Sequence, residues 1–344
     1  MKLFWHRLTH WEYWPSWAIY FPVYFYWISL SIRARTPFFF NAANPGILYG
    51  GFMSESKMSI YRMLPSRLTP KTILIPCTAD PESVLMRAAE AGISFPMIAK
   101  PDIGLRGSAV KKLDSLLDLE DYHHRADFEY LLQDLIPYPN EVGIFYVRYP
   151  NSRQGLVTGI VAKDFLRVTG DGVSTIKQLL DSNIRYAFQM KAIEREIGAM
   201  IDTVPPKGEI LNLVPYGNHA RGAKFTDASH LISPALTAQI DKICSNVEGF
   251  YFGRLDIMYK DWQSLERGED FMIVELNGTA SEPTHIYDPK HSIFFAWREL
   301  IKHIRMMFEI GQINVASGHH YLSWREGYRA YRLHGMQSKK IIRF

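Results

Sequence analysis

The spacing of apolar residues along the first half of the chain predicts short strands and helices. Apolar runs bounded by proline, over residues 71–78 and 95–101, predict strands. Residues 80–92 carry apolar side chains at helical spacing, with Asp80 placed as the N-cap and Gly92 as the residue that ends the helix. This part of the chain therefore predicts a small unit that mixes both kinds of element.

The rest of the chain is also predicted to contain both helices and strands. Further helices are predicted over residues 54–64, 113–128, 174–198, 233–247 and 293–311, and further strands over residues 130–136, 141–150, 155–168, 251–260 and 271–278. The polar residues 261–270 are predicted to connect two strands, and the basic stretch 322–344 is predicted to be partly helical. Because helices and strands do not alternate strictly, the pattern predicts an α+β or mixed α/β fold.

Residues 11–40 are rich in Trp, Tyr and Phe. Their apolar centre, residues 17–32, contains Pro22 and is shorter than the roughly 20 residues that a spanning helix needs. Arg33 and Arg35 follow it, where a signal peptide has small residues before its cleavage site. Two interpretations stay open: contact with a membrane–water interface, or packing against the protein's own core or a partner such as a second copy.

Composition narrows the class of protein. The 344 residues include 47% hydrophobic and 22% charged residues, as in ordinary globular proteins. The net charge of +4 is too small to indicate nucleic-acid binding. The two cysteines, Cys77 and Cys244, lie far apart and predict a reducing compartment. We therefore expect a cytoplasmic protein, at the inner face of the membrane if the aromatic segment binds lipid.

The stretch from Lys100 to Val110 has the composition of a phosphate-binding loop. Gly104 and Gly107 allow backbone N–H groups to approach an anion closely, and Lys100 adds positive charge. The order of residues is not that of a Walker loop, because the lysine precedes the glycines. Taken by itself, the stretch is more typical of a surface hairpin.

Two later strands carry polar residues at alternate positions. Arg254 and Asp256 share one face of the first, and Glu275 and Asn277 share one face of the second. If these strands pair with their polar faces together, three oxygen ligands and a guanidinium meet. Mg²⁺ prefers such oxygen ligands together with phosphates, whereas a simple salt bridge across the strands leaves Asn277 unexplained.

These motifs, in this order, resemble the ATP-grasp superfamily from about Lys57 to Ile310, including the ATP-grasp domains of D-alanine–D-alanine ligase and glutathione synthetase. The resemblance implies two lysines on the nucleotide phosphates, a glycine loop that closes over them, a segment between two lobes that holds adenine, and a glutamate near the ribose or hinge. In that order the residues are Lys57 and Lys100; Gly104, Arg106, Gly107 and Ser108; Gln133, Asp134, Leu135 and Ile136; and Glu141.

The resemblance also implies a catalytic centre. Asp256, Glu275 and Asn277 match the ligands of Mg²⁺, with Mn²⁺ as a substitute, and Arg254 matches the arginine beside an acyl-phosphate. The family usually has a complete domain before its first lysine, whereas 56 residues precede Lys57 here.

Two further stretches resemble cyanophycin synthetase and related carboxylate–amine ligases. They are residues 167–180 and the Asn/Gly-rich residues 216–229. Lys163, Arg167 and Arg221 are candidates for contacting ATP or an anionic substrate, and Lys163 and Arg167 are predicted to be catalytic together with Arg254. The resemblance places Asn218, His219 and Arg221 in a substrate-binding loop near the active site.

The sequence as a whole predicts an α+β ATP-grasp fold in which two lobes clasp ATP. Residues 1–56 are predicted as an aromatic segment, 57–310 as the catalytic domain and 311–344 as a basic tail. The predicted function is an ATP- and Mg²⁺-dependent ligase that joins a small carboxylate to an amine through an acyl-phosphate, or that acts on a membrane-bound or lipid-linked acceptor, as a monomer or homodimer and without nucleic acid. The alternative is a non-catalytic nucleotide-binding or membrane-associated scaffold of the same fold.

Overall fold

The computed structural model describes Trp5 and residues 9–104, 107–182, 186, 189–213 and 223–344. Within these residues the strands are β1 Thr72–Ile75, β2 Met97–Pro101, β3 Lys111–Leu113, β4 Tyr130–Asp134, β5 Asn140–Val147, β6 Leu156–Asp164, β7 Arg167–Thr169, β8 Ile210–Asn212, β9 Lys224–Asp227, β10 Phe252–Tyr259 and β11 Phe271–Asn277. The α-helices are α1 Ser16–Ile19, α2 Phe21–Ala34, α3 Lys57–Met63, α4 Pro81–Glu90, α5 Leu116–Arg125, α6 Ile176–Asp181, α7 Met190–Ile197, α8 Pro234–Cys244, α9 Trp262–Arg267, α10 Ile293–Ala316 and α11 Trp324–Arg343.

The first lobe is a four-stranded antiparallel sheet in the order β1-β4-β2-β3, with α4 and α5 packed on it. The Asp80 side chain caps α4 by accepting from the N–H of Ser83, as predicted. Ile75, Leu132 and Tyr122 are buried between the sheet and these helices. Because side chains alternate along a strand, the opposite face of this sheet is left to Lys100 of β2 and its neighbours.

The second lobe is a five-stranded antiparallel sheet in the order β11-β10-β5-β6-β9. Ile144 and Leu255 on one face are buried in a core with Ile240 of α8. On the other face, Phe145 and Phe252 pack against α10. The two separate antiparallel sheets confirm the predicted α+β class.

The N-terminal aromatic segment packs against the protein's own core along one side. Ile19 and Val23 are buried with Leu300 of α10, and Leu30 is buried with Phe308 of the same helix. The indole Nε1 of Trp297 donates to the carbonyl oxygen of Ile19 at 2.7 Å. None of the described helices is long and apolar enough to cross a membrane.

The basic C-terminal stretch forms α11, a helix that contacts three parts of the molecule. Trp324 at its start meets the ring of Phe38 with 5.9 Å between centroids. Midway, the Gln337 amide oxygen accepts from the Ser54 hydroxyl at 2.7 Å. At its end, Phe344 packs against Tyr122 of the first lobe.

Two sequence predictions differ from the structure in detail. Residues 261–270, predicted as a polar connection, contain helix α9, because Asp261 caps it by accepting from the N–H of Ser264. Residues 155–168, predicted as one strand, are divided: β6 belongs to the large sheet and β7 pairs with β8 in a separate one. The domain boundaries at 56 and 310 stay predictions, and α10 runs through the second of them.

Candidate functional site

The polar residues of β10 and β11 meet because these two strands pair antiparallel. Arg254 lies opposite Asn277, and Asp256 lies opposite Glu275. Residues directly opposite each other in an antiparallel pair project from the same face. The condition that the sequence left open is therefore met, and the four side chains share one face of the second lobe.

Asp256 is a buried carboxylate held by two cations. Arg254 donates from Nε to its Oδ1 at 2.8 Å and from Nη2 to its Oδ2 at 3.1 Å. The Nζ of Lys163 lies 3.1 Å from the same Oδ2. Burial opposes ionisation, but the attraction of Arg254 and Lys163 is stronger, so the pKa of Asp256 is lowered to about 2.

Lys163 reaches Asp256 from the next strand but one. It lies on β6 opposite Glu141 of β5, and its Nζ is 2.6 Å from Glu141 Oε1. Gly143 lies between these charges, and a Cβ at this position would stand 3.1 Å from Asp256 Oδ1 and 2.8 Å from the Val161 side chain. The absence of a side chain at Gly143 therefore leaves room for the buried network.

The second carboxylate, Glu275, is paired with Lys57 at the start of α3. This helix is positioned by Asp102, whose carbonyl oxygen accepts from the N–H of Lys57 at 3.0 Å and whose carboxylate accepts from the N–H of Met58 at 2.9 Å. A Cβ at Gly104 would collide with the Lys57 ammonium group. The loop after β2 thus touches the Lys57–Glu275 pair directly.

Lys100 lies at the centre of a buried hydrogen-bond network in the first lobe. Its Nζ donates to the Tyr61 hydroxyl at 2.8 Å and to Gln133 Oε1 at 2.9 Å. Burial and then repulsion by Lys57 lower the pKa of Lys100 to about 7, despite the attraction of Glu275 and Asp102. A lysine with this pKa gains its positive charge readily when an anion arrives.

The side chains of the predicted adenine segment, residues 133–136, differ in their surroundings. The Gln133 side chain points to Lys100 and also donates to Tyr61 and Thr72, so it is engaged inside the first lobe. After it, Asp134 is half-buried, Leu135 is partly exposed and Ile136 is buried. Residues 135–139 connect β4 to β5 and so join the two lobes.

A cleft of about 320 Å³ opens beside this connection. Glu141 and Lys163 line it together with Arg167, Phe165 and Tyr259. The structure therefore brings the predicted Glu141, Lys163 and Arg167 to one cavity next to Asp256.

The remaining predicted residues are distributed as follows. Gly107 has a φ of +76°, the left-handed conformation that glycine tolerates, and Ser108 beside it is half-buried. The predictions for Arg106, Asn218, His219 and Arg221 lie outside the described residues.

Sequence reasoning missed Glu55, Tyr61 and Gly143. Burial, together with the nearby Glu275 and against the attraction of Lys57, raises the pKa of Glu55 to about 8. Its Oε1 is buried and, among the described residues, has no hydrogen-bond partner; the same is true of Asn277 Nδ2. Glu55 lies two residues before Lys57, but it belongs to no motif that would have identified it in the sequence.

The donor groups at the site are of the kinds that bind a divalent cation. The described residues contain no group of three or more His, Cys, Asp or Glu that could hold a metal ion. The candidate set is instead two carboxylates and an amide, Asp256, Glu275 and Asn277, on paired strands. Magnesium is commonly held by one or two carboxylates plus phosphate oxygens, so the two carboxylates and the Asn277 amide oxygen fit as donors. The unpartnered Asn277 Nδ2 can donate a hydrogen bond to a phosphate oxygen.

No protein-family model and no curated protein matches the chain. Solved structures similar to it include a bifunctional glutathione synthetase from Pasteurella multocida (15% identity, 73% of this chain and 35% of that chain, TM-score 0.39) and a D-alanine–D-alanine ligase from Bacillus anthracis (15% identity, 76% and 69%, TM-score 0.42). A third is the ATP-grasp ligase PsnB complexed with a phosphomimetic variant of its minimal precursor, Mg and ADP (17% identity, 73% and 58%, TM-score 0.39).

All three of these solved structures are named as ligases or synthetases. They include the kinds of ligase that the sequence motifs resemble. The chain spans about a third of the glutathione synthetase and somewhat over half of PsnB. With every one of these TM-scores below 0.5, the likeness says nothing about the activity of this chain.

The buried charge network yields a stability prediction. Replacing Lys163→Met leaves Glu141 and Asp256 facing each other without their shared cation, and we expect the free energy of unfolding to fall by about 3–5 kcal/mol in urea titrations. The matched control is Lys177→Met, which breaks an exposed ion pair with Glu194 and is expected to leave stability near that of the wild type. Equal effects of the two substitutions would show that the network is not stabilising.

Proposed function

We propose that the protein is an ATP-dependent ligase that joins a carboxylate to an amine. The observation that carries this proposal is the register of β10 and β11, which gathers Arg254, Asp256, Glu275 and Asn277 on one face. Lys57 meets that face at Glu275, at the boundary between the lobes. Carboxylates for a divalent cation beside lysines for phosphates form a suitable site for a nucleoside triphosphate.

Magnesium, or manganese in its place, would be held by Asp256, Glu275 and Asn277. When bound, the metal ion neutralises phosphate charge during phosphoryl transfer. Asp256 pairs with Arg254 and Lys163, and Glu275 pairs with Lys57, so a metal ion would compete with all three cations for the carboxylates.

The nucleotide phosphates are assigned to Lys57, Lys100 and the loop that contains Gly104, Gly107 and Ser108. Gly104 in this loop lies against the Lys57 ammonium group. A phosphate bound by Lys57 would therefore also reach the loop, which supports this assignment. The adenine would lie at the connection between the lobes, and the ribose at Glu141, which lines the adjoining cleft. The Gln133 side chain would position Lys100 and would not contact the adenine.

The proposed reaction has two balanced steps. A carboxylate oxygen of the first substrate attacks the γ-phosphorus, the bond from that phosphorus to the bridging β–γ oxygen breaks, and ADP leaves. An amine nitrogen then attacks the acyl carbon, the carbon–oxygen bond to phosphate breaks, and the amine loses a proton as the amide forms. Arg254 stabilises negative charge on the acyl-phosphate, and Lys163 and Arg167 attract the anionic substrate in the cleft.

The first test is calorimetric titration of ATP in the presence of Mg²⁺. We expect the wild type to bind and the double variant Glu275→Ala/Asn277→Ala to lose the magnesium-dependent part of the affinity, since two of three ligands are removed. The control Asn246→Ala/Glu269→Ala removes the same two residue types at exposed positions and should bind like the wild type.

The outcomes separate the candidate functions. Binding without ADP release against a panel of acids and amines would favour the non-catalytic nucleotide-binding protein. Absence of binding by the wild type would overturn both functions.

Lys100 gives the site a predicted pH dependence. At pH 8.5 a lysine with a pKa of about 7 is mostly neutral in the free protein, and a bound phosphate favours its charged form. Binding should therefore take up a proton, and ATP affinity should fall as the pH rises above 7, by up to about tenfold per unit. The charged groups that act on Lys100 are Lys57, Glu275 and Asp102. The variant Lys100→Gln keeps these neighbours but has no titrating group at position 100, so it is the reference for the pH dependence.

Calorimetry in buffers of different ionisation enthalpy measures this proton uptake. We expect uptake near pH 8 in the wild type and a smaller value in Lys100→Gln. The same uptake in both proteins would assign the proton to the nucleotide or to another group such as Glu55.

A further inference from the structure

Helices α1 and α2 have two faces with different environments. Ile19, Val23 and Leu30 are buried against α10 and its neighbours. On the other side, large apolar residues three or four positions apart form a continuous stripe, which we call the aromatic face. It consists of Trp17, Phe21, Phe25, Ile28 and Ile32, and their side chains are between 54% and 73% exposed. A stripe of this size on an otherwise packed helix indicates a contact surface.

The charge around the aromatic face is positive. Residues 15–38 include no aspartate or glutamate, and the exposed Arg33 and Arg35 lie at the end of α2. Helix α10 runs beside α2, from Trp297 near Ile19 to Phe308, over whose ring the Arg33 guanidinium lies at 5.1 Å. The face is therefore apolar along its length and basic at one end.

The exposed side of α10 extends this pattern. Phe294 and the side chain of Arg298 are more than 70% exposed there, and Arg305 is nearly as exposed. Arg305 pairs with Glu309 and Arg298 lies 3.9 Å from Glu299, so Arg33 and Arg35 are the basic groups that we assign to the partner.

We propose that the aromatic face docks the protein onto the surface of an anionic lipid bilayer, with α2 lying in the plane of the interface. Trp favours the level of the headgroups, Phe and Ile insert at the boundary of the acyl chains, and arginines beside them meet anionic headgroups. At 14 residues and about 21 Å, α2 is too short to span the hydrocarbon core but long enough to rest on it. Because residues 15–38 contain no aspartate or glutamate, a second copy of this face would offer no carboxylate to Arg33 and Arg35, whereas anionic headgroups do.

The proposal does not rest on the ligase activity, because the aromatic face lies outside the residues assigned to ATP. The direct test is co-sedimentation of the full chain with phosphatidylcholine vesicles with and without phosphatidylserine, at low and at high salt. We expect binding to the anionic vesicles, weakened by salt. Phe21→Gln/Phe25→Gln/Ile32→Gln should lower the partition coefficient on the order of tenfold or more, because three inserting side chains become polar.

The matched control is Met86→Gln/Leu117→Gln/Val173→Gln, which changes three exposed apolar residues elsewhere and should bind vesicles like the wild type. Arg33→Gln/Arg35→Gln should reduce the preference for phosphatidylserine. Far-ultraviolet circular dichroism and a thermal melt of each variant establish that it is folded.

Three results would overturn the proposal. They are no vesicle binding by the wild type at low salt, equal binding to both lipid compositions, and equal loss in the triple variant and its control. Light scattering adds a fourth: if the wild type is a dimer without vesicles and the triple variant is a monomer, the aromatic face belongs to a second copy.

Discussion

The buried carboxylate of Asp256 requires compensating positive charge, and the centre of the molecule is organised around supplying it. Arg254 lies two residues away on the same strand. Lys163 reaches Asp256 from β6 across β5, where Gly143 has no side chain to block the contact. An unpaired charge in such a place costs several kcal/mol, so each partner constrains the strand that carries it. The order and register of β10, β5 and β6 therefore follow from electrostatics as well as from apolar packing.

The same face of the second lobe is linked to the first lobe through polar contacts. Lys57 reaches Glu275, and the Tyr61 hydroxyl, which accepts from Lys100, itself donates to the carbonyl oxygen of Val274 on β11. These links are charged or strongly polar groups that also suit phosphate and metal. A ligand that binds them would act on the boundary between the lobes, since it would replace contacts that now connect them.

Much of the fold and part of the site could be predicted from the sequence. Caps such as Asp80 and the period-two pattern of β10 and β11 are local, and local patterns are readable in one sequence. The orientation of Gln133 and the role of Gly143 depend on neighbours from distant strands, which no spacing reveals. The single prediction for residues 155–168 failed to show where β6 ends, because the change of sheet near Leu166 depends on the pairing of β7 with β8.

Helix α11 has a mechanical consequence. At 20 residues and about 30 Å, it contacts Phe38 beside the second lobe at one end, and its C-terminal neighbour Phe344 packs on Tyr122 of the first lobe at the other. A straight helix resists bending far more than a loop of equal length. If the two lobes move apart as rigid bodies, one end of α11 must lose its contact. The weaker of these two contacts therefore limits how far the lobes can open.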